Sequence, residues 1–370
     1  MPHDPYKALY IHLPFCKHRC AYCDFHTTSI APDNPAIEQY IERLVLDIRR
    51  ASKAGDLAEI ETVYIGGGTP SYLGTKYLSN LLYALSLSMN LTKDVECSME
   101  ANPDSITPEL IRDIYALGVN RLSIGVQSFD DGMLKNLDRI HDAQQAKDAV
   151  RMAQERFENV SVDLMCGIPG QSAEMFKESL DTAIDLGVTH VSIYPLTIEE
   201  HTPFYNKLMA GEMSDVDQDV QAFQMAQAEG ILTPHGYSRY EVASYAKEGY
   251  RCKHNIAYWT GVPYLGLGES AVTMTQNSER RMRVQDGQVV DDLDLKQMIA
   301  EDLMMQMRMT DGVSDSAVVQ ASEILPDVIK VFMSLENDNL VVHEDRRYKP
   351  TFGGWLLGNE LYGRIYELAP

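Results

Sequence analysis

The sequence predicts an α/β protein: a partial (β/α)6 barrel followed by a smaller α+β, winged-helix-like module. Three observations predict it. Short β-branched segments beside Gly or Pro alternate with amphipathic helical stretches through the first 200 residues or so. Leu117-Gly118-Val119 and Leu186-Gly187-Val188 read as helix C-caps that run straight into the next strand. Polar, chemistry-bearing residues recur after nearly every strand, whereas a doubly wound open sheet would gather them at one switch point.

The elements follow in order. Strands are expected at 8–13, 62–65, 95–100, 121–125, 161–165 and 190–194, and helices at 35–51, 75–87, 107–117, 142–156 and 172–186. Consecutive βα units of this kind form a parallel sheet with right-handed crossovers. After Thr197 the rhythm changes. A helix is expected at 213–230 behind an acidic linker, a strand at 237–245, and a Gly-rich loop at 261–268. From Leu295 a helix carries Met298, Met304, Met305, Met307 and Met309, and 332–342 reads as a helix, a turn and the start of a hairpin. The expected units are the barrel core 1–200, a barrel extension 201–290 and the C-terminal module 291–370.

The 370 residues, 45% hydrophobic and 23% charged, supply ample core for this plan. A net charge of −22 repels phosphate backbones, and the densest basic groups, Arg280-Arg281-Met282-Arg283 and Arg346-Arg347, are short. Nucleic acid is therefore not an expected partner, and the C-terminal module is read as packing or protein-binding. The N-terminal run 1–7 lacks the charged-then-apolar build of a signal peptide. No stretch approaches the ~20 apolar residues of a membrane span. The expected location is the cytoplasm, where thiols stay reduced.

Of the cysteines at 16, 20, 23, 97, 166 and 252, the first three form C-x3-C-x2-C directly after the first strand. Three thiolates in one short loop can hold three corners of a cubane cluster and leave one iron open. Zinc is the competing reading, with His18 or His26 as the fourth ligand. Structural zinc usually staples a domain without a core, however, and this loop opens a large barrel. Gly66-Gly67-Gly68-Thr69-Pro70 ends the second strand and suggests a backbone in close approach, with its amides exposed. Glu100-Ala101-Asn102-Pro103 ends the third, Gly125-Val126-Gln127-Ser128 the fourth, and Asp163 sits in the fifth. Arg139 could pair with a carboxylate.

C-x3-C-x2-C after the first strand of a parallel βα barrel resembles the radical S-adenosylmethionine (SAM) enzymes. That resemblance implies a [4Fe–4S] cluster on Cys16, Cys20 and Cys23, whose open iron binds the amino and carboxylate groups of SAM and whose electron cleaves it. The whole chain is similar to the subgroup that contains oxygen-independent coproporphyrinogen III oxidase and the heme chaperones. The matching runs include Tyr10-Ile11-His12-Leu13-Pro14-Phe15-Cys16, Gly66-Gly67-Gly68-Thr69-Pro70 and residues 163–171. The implied SAM contacts are Tyr10, Tyr22, Gly67, Gly68, Thr69, Glu100, Gln127, Arg139 and Asp163, with Thr197 added after the sixth strand.

The two branches differ at readable places. The oxidase has a further cysteine two residues past the third, where this chain has Phe25, and a segment before the cysteine loop for which residues 1–15 leave no room. The chaperone branch carries H-N-x-x-Y-W, which His254-Asn255-Ile256-Ala257-Tyr258-Trp259 matches. In that branch the histidine is implicated in heme binding, and imidazole is a natural axial ligand for heme iron. Cys252 is a less favoured ligand. The resemblance thus implies a heme chaperone that uses the cluster, SAM and heme, with apo-hemoproteins as recipients and transient contact with membrane-bound ones. Oxidative decarboxylation of a porphyrinogen is the enzymatic alternative, and a zinc-stapled binding protein the third. The oligomeric state, monomer or homodimer, stays open.

Overall fold

The computed structural model describes every residue except Met1, Pro2, Asn90, Thr92 and Lys93, so the start of the N-terminal run lies outside the described residues. After β1 (Ala8–Leu13), the small parallel pair β2 (Phe15–Cys16) and β3 (Thr28–Ser29) pinches the cysteine loop shut. Then come α1 (Pro35–Ala54), β4 (Thr62–Gly67), α2 (Gly74–Ser88), β5 (Glu96–Ala101) and α3 (Pro108–Ala116). The barrel continues with β6 (Arg121–Gln127), the short α4 (Asp131–Asn136), α5 (Ala143–Gln154), β7 (Asn159–Cys166), α6 (Ala173–Asp185) and β8 (His190–Pro195). The strands β1-β4-β5-β6-β7-β8 are adjacent in that order and parallel. This is the six-unit barrel the sequence predicts.

Local chemistry sets the helix ends. Asn34 caps α1 by accepting from the Ala36 amide, and Gly55, at φ 89°, ends it in the left-handed region. Asp142 and Gln145 form a capping box on α5. The inner faces of these helices and the strands make one core that includes Ile11, Ile37, Leu44, Ile65, Leu82, Val162 and Leu180.

Beyond β8 the chain adds α7 (Pro203–Met209), α8 (Gln218–Leu232), β9 (Ser238–Arg239), β10 (Ser244–Ala246) and α9 (Lys253–Trp259). Next are β11 (Tyr264–Leu267), β12 (Val272–Gln276), β13 (Arg280–Gln285) and β14 (Gln288–Asp294). Both edges of the barrel sheet are extended, giving twelve strands in the order β14-β13-β12-β11-β1-β4-β5-β6-β7-β8-β10-β9.

Three expectations change here. The strand expected at 237–245 is a hairpin, because the Arg239 guanidinium donates to the carbonyls of Glu241 and Val242 and fixes a turn between them. The helix expected from 213 starts at Gln218, where the Asp217 carboxylate caps the amides of Asp219 and Val220. The loop expected at 261–268 contains β11, a seventh parallel strand beside β1. Its Gly266 is required, since a Cβ there would lie 2.3 Å from the Val272 carbonyl oxygen.

The C-terminal module holds α10 (Leu295–Gln306), β15 (Val313–Ser314), α11 (Asp315–Ser322) and α12 (Val328–Asn337). The hairpin β16 (Val341–Glu344) and β17 (Arg347–Pro350) turns on Asp345 and Arg346, both at positive φ, before α13 (Phe352–Leu356) and α14 (Gly358–Tyr366). Helix, turn and hairpin stand as predicted, around a core of Leu303, Val318, Phe332, Leu335 and Leu361. Met307 and Met309 lie past the end of α10.

The barrel lumen is polar, unlike the branched aliphatic layers common in closed barrels. Thr62, Glu96, Ser98, Arg121, Ser123, Ser161, His190 and Ser192 are all buried. Hydrogen bonds tie them together: Ser98 donates to Glu96, Ser123 donates to Asp163, and His190 bridges Ser161 and the Tyr240 hydroxyl.

Candidate functional site

The C-terminal ends of the strands enclose a cavity of about 360 Å³. Cys16, Cys20, Cys23, Tyr22, Gly67, Gly68, Thr69, Glu100, Gln127, Arg139, Asp163 and Thr197 all line it, residues that the sequence scatters over 180 positions. Two of the expected site residues do not. Tyr10 lies beneath the cavity, its hydroxyl bonded to His12 Nδ1 at 3.1 Å and its ring stacked on Tyr64. His254 lies at the opposite end of the barrel.

The glycine turn is clamped to the cysteine loop. The Gly68 amide donates to the Leu13 carbonyl at 2.8 Å, and the Thr69 amide to the Phe15 carbonyl at 2.9 Å. The Gly67 amide donates to Glu100 Oε2 at 3.1 Å. The expected exposed amides are therefore spent inside the protein. The glycines are needed for close approach, since a Cβ on Gly68 would sit 2.7 Å from the Phe15 carbonyl oxygen and one on Gly67 2.6 Å from the His12 ring.

Two side chains donate toward sulfur. Thr69 Oγ1 lies 3.4 Å from Cys16 Sγ and Arg139 Nη1 lies 3.5 Å from Cys20 Sγ. Asn102 connects them, donating to Thr69 Oγ1 at 3.1 Å and accepting from Arg139 Nη2 at 2.9 Å. Burial raises the Cys16 and Cys23 thiol pKa values, and the Thr69 hydroxyl works against that rise at Cys16. The two histidines weighed as zinc ligands are engaged elsewhere, His18 with Asp138 at 2.8 Å and His26 with Glu269 at 3.4 Å. Among the described residues no three His, Cys, Asp or Glu side chains converge on a single ion. The three thiols line one wall, a donor set suited to three corners of a cluster wider than one ion.

Carboxyls form the cavity floor. Burial, aided by the charge of Asp163, pushes Glu100 up to about 7, and burial raises Asp163 as well. Gln127 reaches the cavity through a bulge: Gly125 pairs with Asp163 and Gln127 with Leu164, so Val126 is extra, and Gln127 takes φ 67°. Sequence reading missed Tyr64, whose hydroxyl donates to Glu100 Oε1 at 3.0 Å. An apolar strand context gave no signal for it.

The Radical SAM superfamily matches residues 10–183. The heme chaperone HemW of Bacillus subtilis (strain 168) is 32% identical over 381 residues, spanning 96% of this chain and 98% of that protein. The chain belongs to the HemW family. HemW of Escherichia coli (strain K12) is 38% identical over 265 residues, 71% of this chain and 69% of that one. Coproporphyrinogen III oxidase (HemN) of Escherichia coli superposes with a TM-score of 0.79 over 98% of this chain and 90% of its own, at 21% identity, a likeness of fold. As a radical SAM protein, a HemW-family chain implies a [4Fe–4S] cluster and SAM. The cavity fits both: thiols with donors facing their sulfur on one wall, and carboxyls on the floor for a cationic cofactor. No helix among the described residues is long and apolar enough to cross a membrane.

The HemW-family motif H-N-x-x-Y-W forms α9, which covers the N-terminal ends of the strands. Glu96 seats it, accepting from the amides of Lys253 at 2.9 Å and His254 at 3.1 Å. His254 is 1% exposed, bonded through Nδ1 to Thr62 Oγ1 at 2.9 Å, with Nε2 buried and unpartnered. Trp259 faces Arg308 of the C-terminal module. Burial, together with the Arg121 charge, lowers His254 to about 3, so the imidazole is neutral at physiological pH. The unfolded chain therefore takes up a proton below pH ~6.5 that the fold refuses, and stability from this group is lost as pH falls from there toward 3. His254→Phe is expected to flatten that acid limb. Its unfolding free energy from urea titration should fall less than wild type's between pH 6.5 and 4.5, by about 2 kcal/mol.

Proposed function

We propose that this chain is a heme chaperone: it binds heme and delivers it to apo-hemoproteins, while the strand-end cavity holds the cluster and SAM. The observation that favours this reading over porphyrinogen decarboxylation is the charge of the cavity. Its basic side chains are His18, Arg19 and Arg139. His18 is engaged with Asp138, Arg19 with the Cys23 carbonyl, and Arg139 with Asn102, Gly125 and Cys20. Asp24, Glu100, Asp163 and Glu199 share the same walls. Among the described lining residues four carboxyl groups outnumber two guanidinium groups, a balance that suits a sulfonium cofactor better than a tetracarboxylate porphyrinogen. Phe25, 66% exposed, stands where the oxidase has its extra cysteine.

When bound, the cluster supplies an electron and an open iron for the amino-acid end of SAM. The chain's own groups then divide the work. Thr69 favours the thiolate form of Cys16, Arg139 points a donor at Cys20 Sγ, Glu100 and Asp163 face the cofactor cation, and Gln127 is aimed inward by its bulge. For heme, His254 is the proposed ligand: its Nε2 has no hydrogen-bond partner within the fold and would be the lone pair offered to iron once α9 lifts from its seat.

Heme titration followed by transfer to an apo-hemoprotein tests this. Wild type should bind heme with a Soret shift and pass it on, and His254→Ala should bind at least about tenfold more weakly. Unchanged affinity and spectrum in His254→Ala would remove the ligand assignment. Conversion of coproporphyrinogen to protoporphyrinogen by the reconstituted protein would sink the chaperone reading.

A further inference from the structure

His254 and the cofactor cavity lie at opposite ends of the barrel, yet one continuous set of contacts joins them. Thr62, Tyr64 and Gly66 point the same way along β4, since alternate residues of a strand share a face. Thr62 holds the His254 ring by its Nδ1 at 2.9 Å. The Tyr64 ring lies on that imidazole, centroids 5.1 Å apart and planes 27° apart. Tyr64 also meets the Tyr10 ring, centroids 6.3 Å apart. The Tyr64 hydroxyl donates to Glu100 Oε1 at 3.0 Å, and Glu100 Oε2 accepts from Gly67 at 3.1 Å. Tyr64, Glu100 and Gly67 all line the cavity.

The seat of α9 makes these contacts conditional. His254 Nε2 is buried, so any ligand that bonds to it draws the helix out of the lumen. The imidazole then leaves the Tyr64 ring, and the ring that aims a hydroxyl at Glu100 loses one of its two aromatic walls. We infer that Tyr64 is a positioning residue that couples the two ends: α9 must be seated for Glu100 to be held for SAM, and a ligand on His254 weakens SAM binding. Linkage requires the converse, that SAM weakens that ligand by the same factor. That the ligand is heme rests on the function proposed above; the hold of His254 and Tyr64 on Glu100 does not.

The test measures SAM affinity by equilibrium dialysis on the cluster-reconstituted full chain, with thermal midpoints confirming that each variant is folded. Tyr64→Phe keeps the ring and removes the hydroxyl. It should bind SAM about tenfold more weakly. Its pH midpoint for SAM binding should also rise, because the hydroxyl stabilises the Glu100 carboxylate against the other groups that face it, Asp163 above all, with Arg121 helping. His254→Ala, which removes the aromatic wall, should bind SAM several-fold more weakly, and His254→Phe, which restores it, should recover the affinity. A residue that merely packed would give Tyr64→Phe the affinity and pH profile of wild type, and that result overturns the inference, as does wild-type SAM affinity in a folded His254→Ala. Heme added to wild type should weaken SAM, and SAM should weaken heme equally; heme that binds at His254 without altering SAM affinity refutes the coupling. If heme affinity ignores His254→Ala while SAM affinity responds to it, the heme assignment fails and the positioning role stands.

Discussion

Gly68→Ala is expected to abolish the cluster site while leaving the barrel folded. The new methyl group would lie 2.7 Å from the Phe15 carbonyl oxygen and 2.9 Å from those of the Leu13 carbonyl and the Phe15 amide nitrogen. All three are backbone atoms, so no side chain can swing aside. Relief comes only by pushing the turn off the cysteine loop, which breaks the Gly68–Leu13 and Thr69–Phe15 hydrogen bonds. Thr69 would then lose its reach to Cys16 Sγ, and Cys16 its place in β2. Overpacking of this kind costs about 1–3 kcal/mol. That is too little to unfold a protein of this size, but enough to misplace a thiolate. After anaerobic reconstitution, iron should fall from ~4 per chain to below ~1, with loss of the visible absorption band. Gly230→Ala, on α8 with open space around its Cβ, serves as the control and should reconstitute normally. Full iron content in Gly68→Ala would show that the clamp does not shape the site.

Glu100→Gln is expected to separate affinity from stability. The carboxyl is pushed up to about 7, by burial first and Asp163 second. An acid whose folded pKa is raised above its unfolded value stabilises the fold fully below the unfolded value. That contribution is lost as pH rises through the folded one. Ionised Glu100 therefore burdens the fold above pH ~7, and the neutral amide should stabilise the cofactor-free protein by roughly 2 kcal/mol at pH 8, with little gain at pH 4.5. Cofactor binding should move the other way. Without the carboxylate that accepts from Tyr64 and Gly67 and faces a cation, SAM should bind at least about 30-fold more weakly at pH 8. In wild type the same affinity should fall as pH drops through 7. Urea midpoints and SAM dialysis at both pH values check the pair; a variant less stable than wild type at pH 8 would contradict the sign.

The sequence by itself determined the barrel strands to within a few residues, because alternation, helix caps and strand-end glycines are local signals. It also pointed to about half of the cavity lining, since in a parallel barrel polar residues at the strands' C-terminal ends reach one face. Cys16, Cys20, Cys23, Glu100 and Asp163 could therefore be grouped without coordinates, whereas Arg139, which follows α4 and no strand, joined them only through the family resemblance. The tertiary structure decided what depends on partners distant in the chain. It placed β11 beside β1, where Gly266 alone fits against Val272. It spent the amides of Gly67 and Gly68 on Glu100 and Leu13. It put Tyr64 under Glu100 and closed His254 inside the lumen. A motif records which side chain is present at a position but not which way its helix faces, and Glu96 and Thr62, contributed by distant strands, fix that for α9.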